Sequence, residues 1–176
     1  MRGVDDLFPE LTPNAALEAA PLPYAPWSRR LLGGLLDIVV MSAIAAPFTI
    51  DRVARVVDGT AAPGDVRFVT VVSLVTQVAY MTLFHGWRGS TLGKIAVRTV
   101  VRKADGSPVS IDLAFVRAVT LAGINFVSNF LLLVPSIANA LRPLWHPARQ
   151  TWHDQVARTV VLSVQPDAPA PAGDLS

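Results

Sequence analysis

The chain has 176 residues, of which 52% are hydrophobic and only 16% are charged, with a mean hydropathy of +0.45. Soluble domains carry about 25% charged residues, so this composition excludes an ordinary soluble domain as well as an intrinsically disordered chain. Because the sequence has no cysteine, disulfides and thiolate sites are excluded. A net charge of +2 is too small to indicate a nucleic-acid partner. The apolar residues lie in long runs, which predicts a small helical protein of the lipid bilayer.

Both ends of the chain have the composition of disordered tails. Residues 1–26 contain five prolines and four acidic residues, and residues 165–176 consist mostly of Pro, Ala and other small or polar residues. The first tail lacks the basic start and short apolar core of a signal peptide, so we expect the first helix to remain as an uncleaved anchor. The membrane domain is then expected to cover residues 27–164.

Two apolar runs predict the first two membrane-spanning helices. The first, residues 31–48, follows Trp-Ser-Arg-Arg at 27–30, and the second is residues 68–84. Both are long enough to cross a bilayer. The connecting segment 49–67 has three Arg and three Asp, whereas residues 85–117 have six Lys or Arg and two Asp. Because cations favour the cytoplasmic side, we predict that residues 85–117 and the N-terminus face the cytoplasm.

The third apolar run, residues 119–141, contains Pro135 and allows two interpretations. One long helix would carry the C-terminus across the membrane, whereas a hairpin turning near residues 133–135 would return it, with arms of about 15 residues that are short for a core about 30 Å thick. Two β-prone runs, 97–103 and 159–164, can pair only if they lie on one side, which favours the hairpin. The predicted fold is therefore an all-α membrane protein with three or four transmembrane or re-entrant helices and a small cytoplasmic β element.

Polar residues inside the predicted helices mark a possible centre. Arg30 and Asp37 are seven residues apart and share a helix face, with Asp37 about 10 Å further along. A carboxylate at that depth costs on the order of 2–3 kcal/mol, so it needs a partner, for which Arg30 is a candidate. Gln77 lies in a polar stripe on the second helix, and Arg117 opens a similar stripe on the third. Such stripes are more often hydrogen-bond seams between helices than pores. The two stripes and the helix face of Arg30 and Asp37 could nevertheless converge on one polar centre.

Nothing in the sequence predicts an enzyme, a cofactor or a metal centre. The segment 89–94 lacks the spacing of a phosphate-binding loop. His146, Arg149, His153 and Asp154 form a compact polar set, but the histidine spacing is not that of a zinc site. No Ser-His-Asp arrangement or pair of carboxylates indicates catalysis.

The sequence contains a set of short motifs: Arg30-x6-Asp37, Gly89-x-Thr91-x-Gly93-Lys94, Asp105-Gly106, Arg117, His153-Asp154 and Ala157 to Val161. Taken together, these motifs resemble the RDD family of bacterial membrane proteins, which is named for one arginine and two aspartates. The resemblance assigns these to Arg30, Asp37 and Asp154 and implies a multi-pass protein of the bacterial inner membrane. Residues 155–159 depart from the family pattern, which more often has apolar residues and a glycine there.

Two functional hypotheses remain. Some members of the family have been linked to exchange of monovalent cations for protons, which implies transport by a homo-oligomer because three or four short helices cannot enclose a water-filled path. The alternative is a non-catalytic assembly, anchoring or regulatory module, in which the charged residues form a structural clasp if Asp154 reaches Arg30 or Arg117. The predicted functional polar centre consists of Arg30, Asp37, Asp154, Arg117, Lys94, His153 and Gln77.

Overall fold

The computed structural model describes residues 23–164. Of the tails predicted at residues 1–26 and 165–176, residues 1–22 and the whole of 165–176 lie outside the described residues. In chain order the elements are α1 (Trp27–Val57), α2 (Pro63–Arg88), α3 (Leu92–Ala96), β1 (Thr99–Lys103), α4 (Ile111–Ser128), α5 (Val134–Leu141), a 3-10 turn (Arg142–Leu144), α6 (Trp152–Val156) and β2 (Thr159–Ser163).

Three helices form the membrane-crossing part of the protein. α1, α2 and α4 have 31, 26 and 18 residues and are apolar and long enough to cross a membrane. At 1.5 Å per residue even α4 extends about 27 Å, close to the thickness of the hydrocarbon core. α1 packs along α2, and α2 packs along α4. The prediction of an all-α membrane protein with a small β element is confirmed.

The first two helices extend beyond the apolar runs that predict them. α1 continues to Val57 and α2 begins at Pro63, so both include charged turns that hydropathy does not assign to a span. Arg55 near the end of α1 donates hydrogen bonds of 3.1 and 2.6 Å to the two carboxylate oxygens of Asp65 near the start of α2. This ion pair stabilises the extra turns at the end of the molecule that we call the loop end, residues 51–67.

The third apolar run forms the returning hairpin, with arms of unequal length. α4 starts well before the run, and the chain reverses at Leu132 and Leu133, whose φ angles are 49° and 64°. Pro135 lies in the first turn of α5, where a missing N–H costs nothing. The turn therefore precedes the proline instead of including it. α5 packs against α4 and extends only about 12 Å, so it is a re-entrant helix and not a fourth span.

The hairpin brings the two strands together at one end of the helices. β1 and β2 pair antiparallel with Val101 opposite Val161, which confirms the predicted pairing. Both valines pack against Val109 and Ala114, so the sheet is attached to the first turn of α4. We call this part of the molecule the sheet end; it comprises residues 23–30, α3, the two strands and α6.

Residues 23–26 belong to the folded domain, although composition assigns them to the first tail. Tyr24 forms a β-bridge with Leu162, and the N–H of Ala25 donates a 2.9 Å hydrogen bond to the carbonyl oxygen of Val161. Ala25 is fully buried. Backbone pairing with β2 thus overrides the local preference of a proline-rich segment for disorder.

Candidate functional site

Asp37 lies in a closed cage of hydrogen-bond donors. Its Oδ1 accepts hydrogen bonds of 2.8 Å from the Tyr80 hydroxyl and 2.8 Å from the N–H of Gly93, and its Oδ2 accepts one of 2.6 Å from Thr91. Lys94 Nζ is 3.5 Å from Oδ2, and the carboxylate is fully buried. Short charge-assisted hydrogen bonds of this kind offset the cost of burying the charge.

The cage depends on close approach of α3 to α1 at two glycines. A Cβ added to Gly93 would overlap the Gly33 carbonyl and would come within 2.8 Å of Asp37 Oδ1. A Cβ added to Gly33 would be 3.0 Å from a methyl group of Val97. Because the two backbones are in contact, the Gly93 N–H is close enough to donate its hydrogen bond to the Asp37 carboxylate.

Lys94 is the cationic partner of Asp37. Burial and the nearby charge of Arg117 lower the pKa of Lys94 to about 8, against the opposing effect of Asp37. Arg30 therefore does not pair with Asp37, and the pairing considered from their seven-residue spacing is wrong. The spacing describes one helix, but α3 inserts Lys94 beside Asp37, and Arg30 contacts a different carboxylate.

Asp154 is that carboxylate, and it joins three elements. Its Oδ1 accepts hydrogen bonds of 2.9 and 2.6 Å from Nε and Nη2 of Arg117 on α4, and its Oδ2 is 3.5 Å from Nη1 of Arg30 on α1. Arg30 also donates to the carbonyl oxygens of Ala25 at 3.2 Å and Val161 at 3.0 Å. The side chains of Asp154, Arg117 and Arg30 are only 1%, 3% and 10% exposed.

A capping box holds Asp154 in position. Thr151 donates its N–H to Asp154 Oδ2 at 3.1 Å, and its hydroxyl accepts the N–H of Asp154 at 3.3 Å. Burial raises the pKa of Asp154, but the charges of Arg117 and Arg30 outweigh burial, so the pKa lies below its usual range. The sequence contains the signal for this box, Thr-x-x-Asp at 151–154, which the sequence analysis missed.

Two histidines flank Arg117. Nη1 of Arg117 is 3.2 Å from His85 Nε2, and Nη2 is 3.3 Å from His153 Nε2. Asn139 of α5 lies 3.1 Å from the other ring nitrogen of His153. Burial lowers the pKa of His153 to about 3, so its ring is neutral at pH 7 and can accept a hydrogen bond from Arg117. His85 is fully buried and was missed by the sequence analysis, although it lies two i+4 steps after Gln77 on the same ridge of α2.

Gln77 belongs to a separate hydrogen-bond seam. Its side-chain oxygen accepts a 3.3 Å hydrogen bond from Asn125 of α4, and Asn125 accepts one of 2.8 Å from Ser136 of α5. The Ser136 hydroxyl oxygen also lies 2.7 Å from that of Ser128. The polar stripes of the second and third segments therefore meet each other, and they join the hairpin to α2.

A cavity of about 460 Å³ lies between α1, α2, α4 and α5, and we call it the α1–α5 cavity. Among residues 23–164, its lining does not include Asp37. One wall is the apolar face of α1, and the facing wall is the seam of Gln77, Asn125 and Ser136. Its floor is formed by four charged side chains, Arg30, Lys94, Arg117 and Asp154, together with His153.

Comparison with known proteins gives one match. The sequence model of the RDD family matches residues 24–158, which include Arg30, Asp37, Arg117 and Asp154. No curated protein matches the chain, and no solved structure matches it.

Proposed function

The chain belongs to the RDD family, and from this premise we propose that it is a non-catalytic membrane module whose arginine and two aspartates form a structural clasp. The clasp consists of Arg30, Arg117 and Asp154 together with the pair Asp37 and Lys94. The observation that carries the proposal is the double contact of Asp154, which accepts from Arg117 at 2.6 Å and lies 3.5 Å from Arg30. Through these contacts α6 is tied to both α4 and α1.

The environment of Asp37 supports the same proposal. Its oxygens already accept three hydrogen bonds and contact Lys94, and it is fully buried. An ion site on a transport path must exchange its ligands with water, and a carboxylate with four partners held by backbone contact does not do so readily. Asp37 is better suited to fixing α3 against α1.

Exchange of monovalent cations for protons is the second candidate function. It is favoured by the α1–α5 cavity, in which a polar seam leads to Asp154 at the floor. Against it, Arg30, Lys94 and Arg117 line the same floor and repel a cation. In this hypothesis the path is completed by further copies of the chain in a homo-oligomer.

We also infer that the protein lies in the bacterial inner membrane with its sheet end and N-terminus in the cytoplasm. Exposed cations lie in or beside the sheet end, at Arg29, Arg88, Arg98 and Arg158, whereas the loop end has a balanced set of three Arg and three Asp, which supports this orientation. Tryptophans favour a membrane interface, and all four in the chain lie at or beside the sheet end: Trp27, Trp87, Trp145 and Trp152.

The test combines folding yield with ion flux. The clasp predicts that Asp37→Asn and Asp154→Asn both lower the amount of monodisperse protein extracted from membranes, and that vesicles containing the wild type show no proton flux dependent on sodium or potassium. The matched control is Asp65→Asn, which removes a carboxylate from the loop end. Cation-dependent flux in the wild type, lost in a well-folded Asp37→Asn or Asp154→Asn variant, would favour the exchange hypothesis instead.

A further inference from the structure

The floor of the α1–α5 cavity is a cationic site inside the membrane domain. Three cationic side chains, Arg30, Lys94 and Arg117, face one lining carboxylate, Asp154. Because His153 is neutral at pH 7, the floor carries an excess of positive charge even when Asp37, behind Lys94, is counted. Such a floor attracts an anion and repels a cation.

Arg30, which lines the cavity, has a donor atom that is in an ion pair but makes no hydrogen bond within the described part of the chain. Its Nε and Nη2 donate to carbonyl oxygens, but Nη1 is buried and has no hydrogen-bond partner among residues 23–164. Asp154 Oδ2, the nearest charge to Nη1, is 3.5 Å away and already accepts from Thr151. A buried guanidinium donor without an acceptor is costly, and an anionic oxygen that reached Nη1 from the cavity would satisfy it.

One wall of the cavity, the apolar face of α1 opposite the polar seam, is suited to hydrocarbon. Leu35 and Ile38 of α1 line the cavity and are still 51% and 55% exposed, so the cavity opens outward along α1. α1 packs against α2 and α5 against α4, and the hydrogen bond from Trp27 Nε1 to the Ala140 carbonyl joins α1 to α5 at the sheet end. Beyond that link the opening faces the region that acyl chains occupy.

We propose that the α1–α5 cavity binds one anionic phospholipid, with its phosphate against Arg30 and Lys94 and an acyl chain leaving past Leu35 and Ile38. The volume of about 460 Å³ accommodates a phosphate head group and the first carbons of a chain, while the rest of the chain remains in the bilayer. Basic pockets between membrane helices on the cytoplasmic side recognise anionic head groups in this way. The proposal goes beyond the clasp, since it concerns what the floor residues bind and not what they hold together.

The chain offers a matched pair of glycines for the test. Gly34 lines the cavity on α1, and a Cβ added there meets nothing within 4 Å, so a leucine at this position can start without a clash and extend into the cavity. Gly123 on α4 also has open space around an added Cβ, but among residues 23–164 it does not line the cavity. Gly123→Leu therefore adds the same side chain to a membrane helix outside the cavity.

The experiment is a lipid titration of the purified full chain in neutral detergent, read by native mass spectrometry. The probes are phosphatidylglycerol and phosphatidylcholine with identical acyl chains, and inorganic phosphate is added as a competitor. We expect one phosphatidylglycerol per chain, bound at least about tenfold more tightly than phosphatidylcholine. Gly34→Leu is expected to lose this preference and Gly123→Leu to keep it, with unchanged elution of both variants.

Three results would overturn the proposal. Equal binding of the two lipids would show that the cationic floor does not recognise the head group. Retention of the preference in Gly34→Leu would put the lipid elsewhere on the surface. Displacement of phosphatidylglycerol by millimolar phosphate would assign the floor to a soluble anion. None of these results depends on the yields of the Asp37 and Asp154 variants, so the clasp and the lipid site can fail separately.

Discussion

The two ends of the molecule carry ion clusters with nearly the same geometry and very different surroundings. At the sheet end, Asp154 lies 2.6 Å from Arg117 and 3.5 Å from Arg30; at the loop end, Asp65 lies 2.6 Å from Arg55 and 3.4 Å from Arg52. The sheet-end side chains are at most 10% exposed, whereas the two loop-end arginines are 42% and 37% exposed.

Burial, and not distance, therefore distinguishes the two clusters. Removing one partner of a buried pair leaves a charge without solvent or counter-ion, whereas an exposed arginine is simply hydrated. The sheet-end cluster also contacts three elements that are distant in sequence, while Arg55 and Asp65 join helices that follow one another directly. The comparison predicts that equal chemical changes at the two ends have unequal effects.

The largest effect is expected for Asp154→Asn. The substitution leaves Arg117 and Arg30 buried together without an anion, which costs about 3–5 kcal/mol of the free energy of unfolding. Most of the protein should then fail to elute as a monodisperse peak from size-exclusion chromatography in detergent. A yield and elution profile equal to those of the wild type would show that the buried cluster is dispensable.

The next effect is expected for Gly93→Ala, with Gly64→Ala as its counterpart at the loop end. The added Cβ at Gly93 overlaps the Gly33 carbonyl and crowds Asp37, so α3 must move away from α1 and the cage loses the Gly93 N–H. At Gly64 in the first turn of α2 the same atom meets nothing within 4 Å. We expect the midpoint of thermal unfolding to fall by many degrees for Gly93→Ala and to change little for Gly64→Ala.

The cage around Asp37 also shows what the sequence could and could not predict. Hydropathy predicted the membrane helices, and the β-prone runs predicted the paired strands and favoured the hairpin over one long helix, because these features depend on local composition. Asp37 and Asp154 were assigned through a resemblance, and the cost of burying Asp37 required a partner. The identity of that partner depended on α3, whose approach to α1 requires two glycines that are 60 residues apart.

Contacts of this kind carry no periodic signal. Arg30 contacts Asp154 because residues 23–26 pair with β2 and bring the start of α1 beside α6. The proline-rich composition of that segment argued for disorder, and only the tertiary pairing reverses the expectation. His85 was overlooked for a different reason: it ends an apolar run and resembles an interfacial residue until Arg117 packs beside it.

A smaller loss of stability is expected on acidification, and it should arise from His153 at the sheet end. Burial lowers the pKa of His153 to about 3 from an ordinary value near 6.5, so between these values the unfolded chain binds a proton that the folded chain does not. Stability should therefore fall as the pH decreases from about 6.5 towards 3, by at most about 1.4 kcal/mol per pH unit for this group.

The measurement is thermal unfolding in detergent at pH 7 and pH 4.5, followed by intrinsic fluorescence, which reports on the sheet end because the tryptophans lie there. His153→Gln removes the titrating ring while keeping a hydrogen-bonding side chain beside Arg117. The variant should lose less stability between the two pH values than the wild type. An identical loss in both proteins would assign the acid sensitivity to other groups.

The smallest effect is expected for Asp65→Asn at the loop end. In the wild type, Asp65 accepts a 3.1 Å hydrogen bond from the N–H of Ala62, and an asparagine keeps an acceptor for it. The partly exposed Arg55 and Arg52 can turn towards water. The unfolding midpoint should lie close to that of the wild type, and the small difference should shrink further at high salt, since salt screens exposed ion pairs. If Asp65→Asn were instead as damaging as Asp154→Asn, the two clusters would be equivalent despite their unequal exposure. The stability of this membrane domain would then depend on closing both ends of the helices, and the charges at the sheet end would have no special role.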